Sequence, residues 1–156
     1  MRIRGKGQLG NAMVEFALAS SVLFPAMAGA FLYGFTFYRF NLLEAALSNG
    51  SRYASYRTYR CLSGATDVNK VITAIQNVTV YQVPSPDNTS TPVVPGLQPS
   101  DISVTYTLSS TQVPTTVTVS VKSYTVNGLF STFTFRNKPK ITAPYLGRYA
   151  PEESEP

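Results

Sequence analysis

The chain contains no histidine and only one cysteine, Cys61. Without histidine there is no Ser-His-Asp or Cys-His arrangement, no general base of the commonest kind and none of the commonest metal ligand. A lone cysteine forms no intramolecular disulfide, which leaves two readings for Cys61: a half-buried structural thiol, or a pairing partner between chains in an oxidising compartment. Charge is sparse, at 13% of residues. The acids Asp67, Asp87 and Asp101 are scattered, while Glu152, Glu153 and Glu155 crowd a terminal stretch of disordered character. Such spacing supplies no pair of carboxylates for acid–base work and no oxygen cage for a cation. The first ten residues hold three of the 13 basic groups and no acid, so without them the net charge falls from +5 to +2. No later Lys/Arg run makes a stripe for nucleic acid. The residues therefore argue against an enzyme, a cofactor, a metal and a nucleic-acid partner.

At 156 residues there is room for one small domain and an anchor. The anchor is plain. From Phe16 to Tyr38 runs a 23-residue segment without charge, FALASSVLFPAMAGAFLYGFTFY. As a helix it covers roughly 35 Å, against about 30 Å of bilayer hydrocarbon. Tyr33 and Tyr38 fall toward its far end, where amphipathic rings favour the interface. Pro25 removes one helical hydrogen bond and predicts a kink rather than a stop. Arg2, Arg4 and Lys6 stand before the run and argue for a cytoplasmic N-terminus; Arg39 and Arg52 beyond it weaken that reading, and Glu44 partly offsets them. A cleaved signal peptide ending near Ala28-Gly29-Ala30 is the competing reading. It would place Glu15 at the head of the apolar core and start the mature chain on FLYGFTFY, still membrane-like.

Beyond the run, helical character continues to about Tyr59. Leu42, Leu43, Ala46, Leu47, Tyr53 and Ala54 recur close to the 3.6 period, with Glu44, Ser48, Ser51 and Arg52 on the polar side. Gly50 weakens this helix by about 1 kcal/mol relative to alanine, and Asn49-Gly50 is also a possible break. A second helix is expected over residues 66–76, capped by Thr66 or Asp67, with Val68, Val71, Ile72 and Ile75 on its apolar face. Residues 84–99, PSPDNTSTPVVPGLQP, read as a proline-rich loop between subdomains or an exposed excursion. The period then becomes two. Ile102, Val104, Tyr106 and Leu108 alternate with polar residues, as do Val117, Val119 and Val121, giving two half-buried strands in antiparallel pairing. A third strand is expected around 139–149, confined by Pro144 to an edge or a bulge. The sheet is covered either by the second helix or by the outer half of the long one. The fold class is α+β: a long N-terminal transmembrane helix continuing into an exported amphipathic helix, and a small antiparallel sheet head with a short helix. The expected boundaries are a basic leader at 1–10, the helix at 11–60, the head at 61–149 and an acidic tail at 150–156.

Two features of the helix bear on function. Ala26, Ala30 and Gly34 recur at four-residue spacing, a small-residue stripe on which another helix can pack, since association in lipid relies on close approach. Glu15 places a carboxylate at the start of the apolar run, where a charge costs up to roughly 2.5–3.5 kcal/mol at mid-bilayer and less near an end. It either lies at the headgroup boundary or has a partner. If a processing enzyme cuts after Gly10, Asn11 acquires a free α-amino group one helical turn from Glu15. The carboxylate can then pair with the α-ammonium of a staggered neighbour and enforce register between subunits.

The run Gly10-Asn11-Ala12-Met13-Val14-Glu15-Phe16 resembles the prepilin cleavage signature of type IV pilin-like proteins. The wider segment AMVEFALASSVLFPAMAGAFLYGFTFYRFNLLEAALSNGSRYASYR is similar to the TadE-like family of tight-adherence pilus systems. The carrying positions are Val14 to Leu18, Pro25, Asn49 and Arg52-Tyr53-Ala54. More loosely, an aromatic stretch (Leu129, Phe130, Phe133, Phe135) and ITAPYLGRYA resemble that family's closing strands. The resemblance implies a pseudopilin or minor pilin in the bacterial inner membrane. Gly10 and Asn11 would be the site of a prepilin peptidase, and Glu15 and Phe16 would act in subunit assembly. Its partners would be membrane lipid, other pilin-like subunits in a homo- or hetero-oligomer, and the pilus assembly machinery. The alternative is a single-pass membrane adaptor whose exported head binds another envelope protein. NGLFSTFTF is then a docking surface, though four large apolar side chains more often form a strand face or core.

Overall fold

A computed structural model describes residues 7–57, 59–60, 65–111, 113–128, 132–147 and 149–150. The leader residues Arg2, Arg4 and Lys6, Cys61, Leu129, Phe130 and the acidic tail lie outside the described residues, as do the side chains of Thr66, Asp67 and Val68. The architecture is α+β. A 50-residue helix, α1 (Gly7–Tyr56), is followed by β1 (Tyr59–Arg60), α2 (Ala65–Tyr81), a 3-10 turn at Pro99–Asp101, and strands β2 (Ile102–Leu108), β3 (Pro114–Val121), β4 (Ser123–Asn127), β5 (Thr132–Arg136), β6 (Lys140–Pro144) and β7 (Tyr149–Ala150). Helix α1 runs unbroken through Pro25 and Gly50.

The sheet follows from the alternating pattern. Strands β2, β3 and β6 lie in that order, both pairs antiparallel, with Val104 opposite Val119 and Val119 opposite Ile141. One face therefore collects Ile102, Val117, Val119 and Val121, all fully buried, while the other shows threonines such as Thr118 and Thr142, hydroxyls 3.0 Å apart. Pro144 ends the edge strand β6, where a missing N–H does no harm. Both helices cover the buried face: α1 packs on β3 and β6, α2 on β2. The core joins Leu43, Ala46, Leu47 and Ala54 of α1 to Ile75 and Val80 of α2 and to the sheet valines.

Three features depart from the sequence pattern. Helix α2 continues to Tyr81, beyond residue 76, so that Val78, Thr79 and Val80 are buried. Gln82 then closes it in the left-handed region, φ 62°, its N–H bonded to the Val78 carbonyl. The proline-rich segment is neither an excursion nor a spacer. It folds back so that the Val93 N–H meets the Val80 carbonyl at 2.9 Å, and Val94 and Leu97 enter the core. Ser51, placed on the polar side by its periodicity, is buried with its hydroxyl satisfied by the Ser48 carbonyl at 2.9 Å.

The end of α1 is clasped from far along the chain. The Leu146 N–H donates to the Ser55 carbonyl at 2.9 Å, and the Tyr145 hydroxyl to the Arg57 carbonyl at 2.6 Å. The Ser55 hydroxyl donates in turn to the Pro144 carbonyl. Gly147 is required here, because a Cβ would collide with the Arg57 carbonyl oxygen. Beyond it β7 pairs in parallel with β1.

At Gly50 the two helices approach closely. The glycine is buried, and a Cβ built on it would collide with Thr79 Oγ1 and sit 3.1 Å from Thr79 Cβ. The helical penalty of glycine is thus outweighed by packing. Gly50→Ala is expected to destabilise the head by about 1–3 kcal/mol, as overpacking does. Adding Thr79→Ala should recover part of the loss, read as melting temperature by circular dichroism in detergent micelles.

Tyr124 of β4 is buried and donates its hydroxyl to the Pro95 carbonyl at 2.8 Å, pinning the proline-rich segment to the sheet. Burial pushes the Tyr124 pKa above its ordinary value of 10.0, and the nearby Arg39 guanidinium pulls it partly back. The folded state therefore holds this proton more tightly than the unfolded chain. The associated stability is present below pH 10 and is lost as pH rises through the raised folded value. Tyr124→Phe should cost about 1 kcal/mol at neutral pH. It should also make the decline in melting temperature above pH 10 shallower than in the parent chain.

Candidate functional site: the free half of the long helix

Helix α1 divides at about Leu32. Beyond it Leu43, Ala46, Leu47 and Ala54 are core; from Gly10 to Phe31 almost every residue is exposed, with Phe16 at 70% and Phe31 at 74%. The helix is long and apolar enough to cross a membrane, and none of its apolar window is buried within the protein. Large aromatic side chains left uncovered over that length are costly in water and favourable in lipid. This arrangement fits a single-pass membrane anchor.

All the sequence-predicted site residues but Gly34, which stands just past Leu32, lie on this free half. Gly10 and Asn11 are exposed and within the helix, which begins at Gly7, so the Gly10–Asn11 bond stands in helical conformation. Glu15 and Phe16 are exposed and adjacent, and project on different sides of the helix. Ala26, Ala30 and Gly34 are exposed as well. Ala30 and Gly34 line one shallow apolar groove of about 450 Å³ with Phe31, Phe35 and Tyr38, and Ala26 lies outside it. The groove is framed by large rings around a floor of small residues, a shape that admits another helix. Glu15 is not brought to this groove. At 3.6 residues per turn it lies about five turns from Tyr33 and on that residue's side of the helix.

The side carrying Tyr33 is where the head descends. Strands β4 and β5 form a separate antiparallel hairpin, Val126 opposite Phe133 and Tyr124 opposite Phe135. Its inner face meets α1 through Phe133 against Tyr33, ring centroids 6.3 Å apart, and Phe135 against Phe40, 5.6 Å apart. Phe133 and Phe135 are thus packed against the helix, while the outer face shows Thr125 and Thr134. Periodicity alone marked these aromatics as strand face or docking surface; their partner on α1 lies almost a hundred residues away and left no local signal. Arg39, the first charge after the apolar run, is half-buried, its guanidinium 5.0 Å above the Phe35 ring and its Nη1 buried without a hydrogen-bond partner. At the outer end, Arg57 stacks on Tyr53 at 4.8 Å and donates from Nε to its hydroxyl at 2.8 Å. Among the described residues no three His, Cys, Asp or Glu side chains are grouped to hold a metal.

The free half and its continuation into the head, residues 10–52, match the family model described as TadE-like protein. This segment is TadE-like. The likeness is confined to those residues. It covers the free half of α1 and most of the core-forming half, and ends before the sheet begins. No curated protein and no solved structure matches the chain.

The TadE-like segment carries two glycines of opposite character. A Cβ on Gly34 meets nothing within 4 Å, whereas one on Gly50 collides with α2. Gly34→Leu is accordingly expected to leave the melting temperature of the head within about 1 °C of the parent, in the same assay where Gly50→Ala lowers it clearly.

Proposed function

We propose that the chain is a pseudopilin or minor pilin of a tight-adherence pilus system. It is held in the inner membrane by α1, with a cytoplasmic N-terminus and an exported head. The observation that carries this reading is the coincidence of the TadE-like match with a helix that is wholly free over its first half and core over its second. A helix of that kind passes from lipid into a helical bundle with little change, because both surroundings accept the same apolar surface. Its neighbours are other pilin-like subunits, in a homo- or hetero-oligomer, and the assembly machinery.

In this reading a prepilin peptidase cleaves after Gly10. Asn11 then carries an α-ammonium, and Glu15 pairs with that group on an adjacent subunit. The pair removes two charges from an apolar setting and fixes the axial stagger, since a displaced helix leaves the carboxylate alone. Phe16 packs beside the pair, and Ala26, Ala30 and Gly34 give the neighbouring helix its close approach.

Two substitutions test this reading. Glu15→Ala should insert into the membrane as well as the parent or better, and yet fail to enter filaments in a pilus shear-and-blot assay. Wild-type assembly by Glu15→Ala would leave the carboxylate merely interfacial. Gly10→Leu should accumulate as an uncut precursor, seen as a Met1 or Arg2 N-terminus by mass spectrometry. A membrane adaptor that never enters a filament would be indifferent to both changes.

A further inference from the structure

The uncharged run extends to Tyr38, but the head reaches further down α1 than that. Leu32, Thr36, Arg39 and Phe40 are half-buried, and the β4–β5 hairpin lies along the helix from Tyr33 to Phe40. Among the described residues this hairpin is a two-stranded sheet of its own, hydrogen-bonded to no third strand. Its outer face carries exposed Thr125, Asn127, Thr132 and Thr134. Open sheet edges do not occur in lipid-exposed hydrocarbon, because nothing there satisfies the outward N–H and C=O groups. Hydrocarbon must therefore end on α1 at or before Tyr33.

The other end of the span sets an opposite limit. Crossing about 30 Å takes roughly 20 helical residues, and counting back from Leu32 places the inner boundary near Met13. Glu15 then lies just inside that boundary. Each residue by which the head stood away from the surface would draw the carboxylate about 1.5 Å deeper. The two limits meet only if the hairpin touches the bilayer.

We propose that the β4–β5 hairpin seats the head directly on an anionic bilayer surface, with Phe133 and Tyr33 at the hydrocarbon boundary and Met13–Leu32 as the lipid-crossing part of α1. This rests on the membrane-anchored reading above. Charge on the hairpin agrees with it. Arg136 lies three residues from Phe133 on β5, about 10 Å further from the hydrocarbon. It is exposed, and so is Lys138 beside it. Their long side chains can reach back to lipid phosphates as the rings settle at the boundary.

The chain has no tryptophan, so a single introduced indole reports its own depth. Full-length protein is reconstituted in phosphatidylglycerol-containing vesicles doped with lipids brominated near the headgroup or deep in the acyl chain. Phe24→Trp should be quenched most by deep bromines and Phe133→Trp by shallow ones. Tyr38→Trp should escape deep bromines and be quenched by aqueous acrylamide. Thr132→Trp, on the exposed face of β5, repeats the hairpin measurement without disturbing the Phe133–Tyr33 contact. If Phe24→Trp is quenched but both hairpin reporters answer only to acrylamide, the head stands clear and the proposal is overturned. Deep quenching of Tyr38→Trp overturns it equally, since the span then includes the hairpin's level. If Phe24→Trp itself is untouched by every brominated lipid, the anchor reading fails, and the seating with it.

Discussion

A single helix is asked to be soluble in two different surroundings along one continuous backbone. Its first half has no partner among the described residues, and its second half is a wall of the head's core. Everything else in the molecule adjusts to that division. The sheet faces the outer half only, α2 crosses it where glycine permits, and the aromatic hairpin runs down beside it to the point where the free half begins. The core residues Leu43, Leu47 and Ala54 must fill a protein interior, where a methylene more or less is felt. Residues such as Leu18 and Val22 need only be apolar.

The parts of this arrangement that could be read from the sequence are those whose cause is local. The uncharged run, the alternation of Ile102, Val104 and Tyr106 against threonines, and the confinement of Pro144 to an edge each follow from period and backbone chemistry within a few residues. Those that could not be read depend on distant partners. Gly50 looks like a weak point of a helix until Thr79 is placed against it. Val94 and Leu97 sit among five prolines and carry no periodicity, yet the segment is pinned by Tyr124 and buried. The continuation of α2 through the β-branched Val78, Thr79 and Val80 is another case, since tertiary burial overrides the helix propensity of those residues. The candidate site was legible in part. Its uncharged run could be read from composition, whereas Tyr33 could be read only as an interfacial ring and not as the partner of Phe133.

The TadE-like match ends near residue 52, inside the helix and before the sheet. The matched segment includes the whole free half, whose demands are generic to lipid and helix packing, and the face of α1 on which a head is built. The sheet beyond it meets that face through small or aliphatic residues, Leu43, Ala46 and Leu47. Such a face constrains volume more than identity, and volume-conserving change on the opposing layer is what cores tolerate best.

The clasp at the end of α1 carries a consequence for how the molecule opens. Helix ends ordinarily fray, because their last carbonyls lack partners. Here the Ser55 and Arg57 carbonyls are bonded to Leu146 and Tyr145, which directly follow the edge strand β6. The last turn of α1 therefore cannot loosen without detaching the sheet's own margin. Helix end and sheet edge form one cooperative unit of local unfolding. A pull or twist applied along the anchor is delivered to the sheet as a whole, with no pliable joint between them to absorb it.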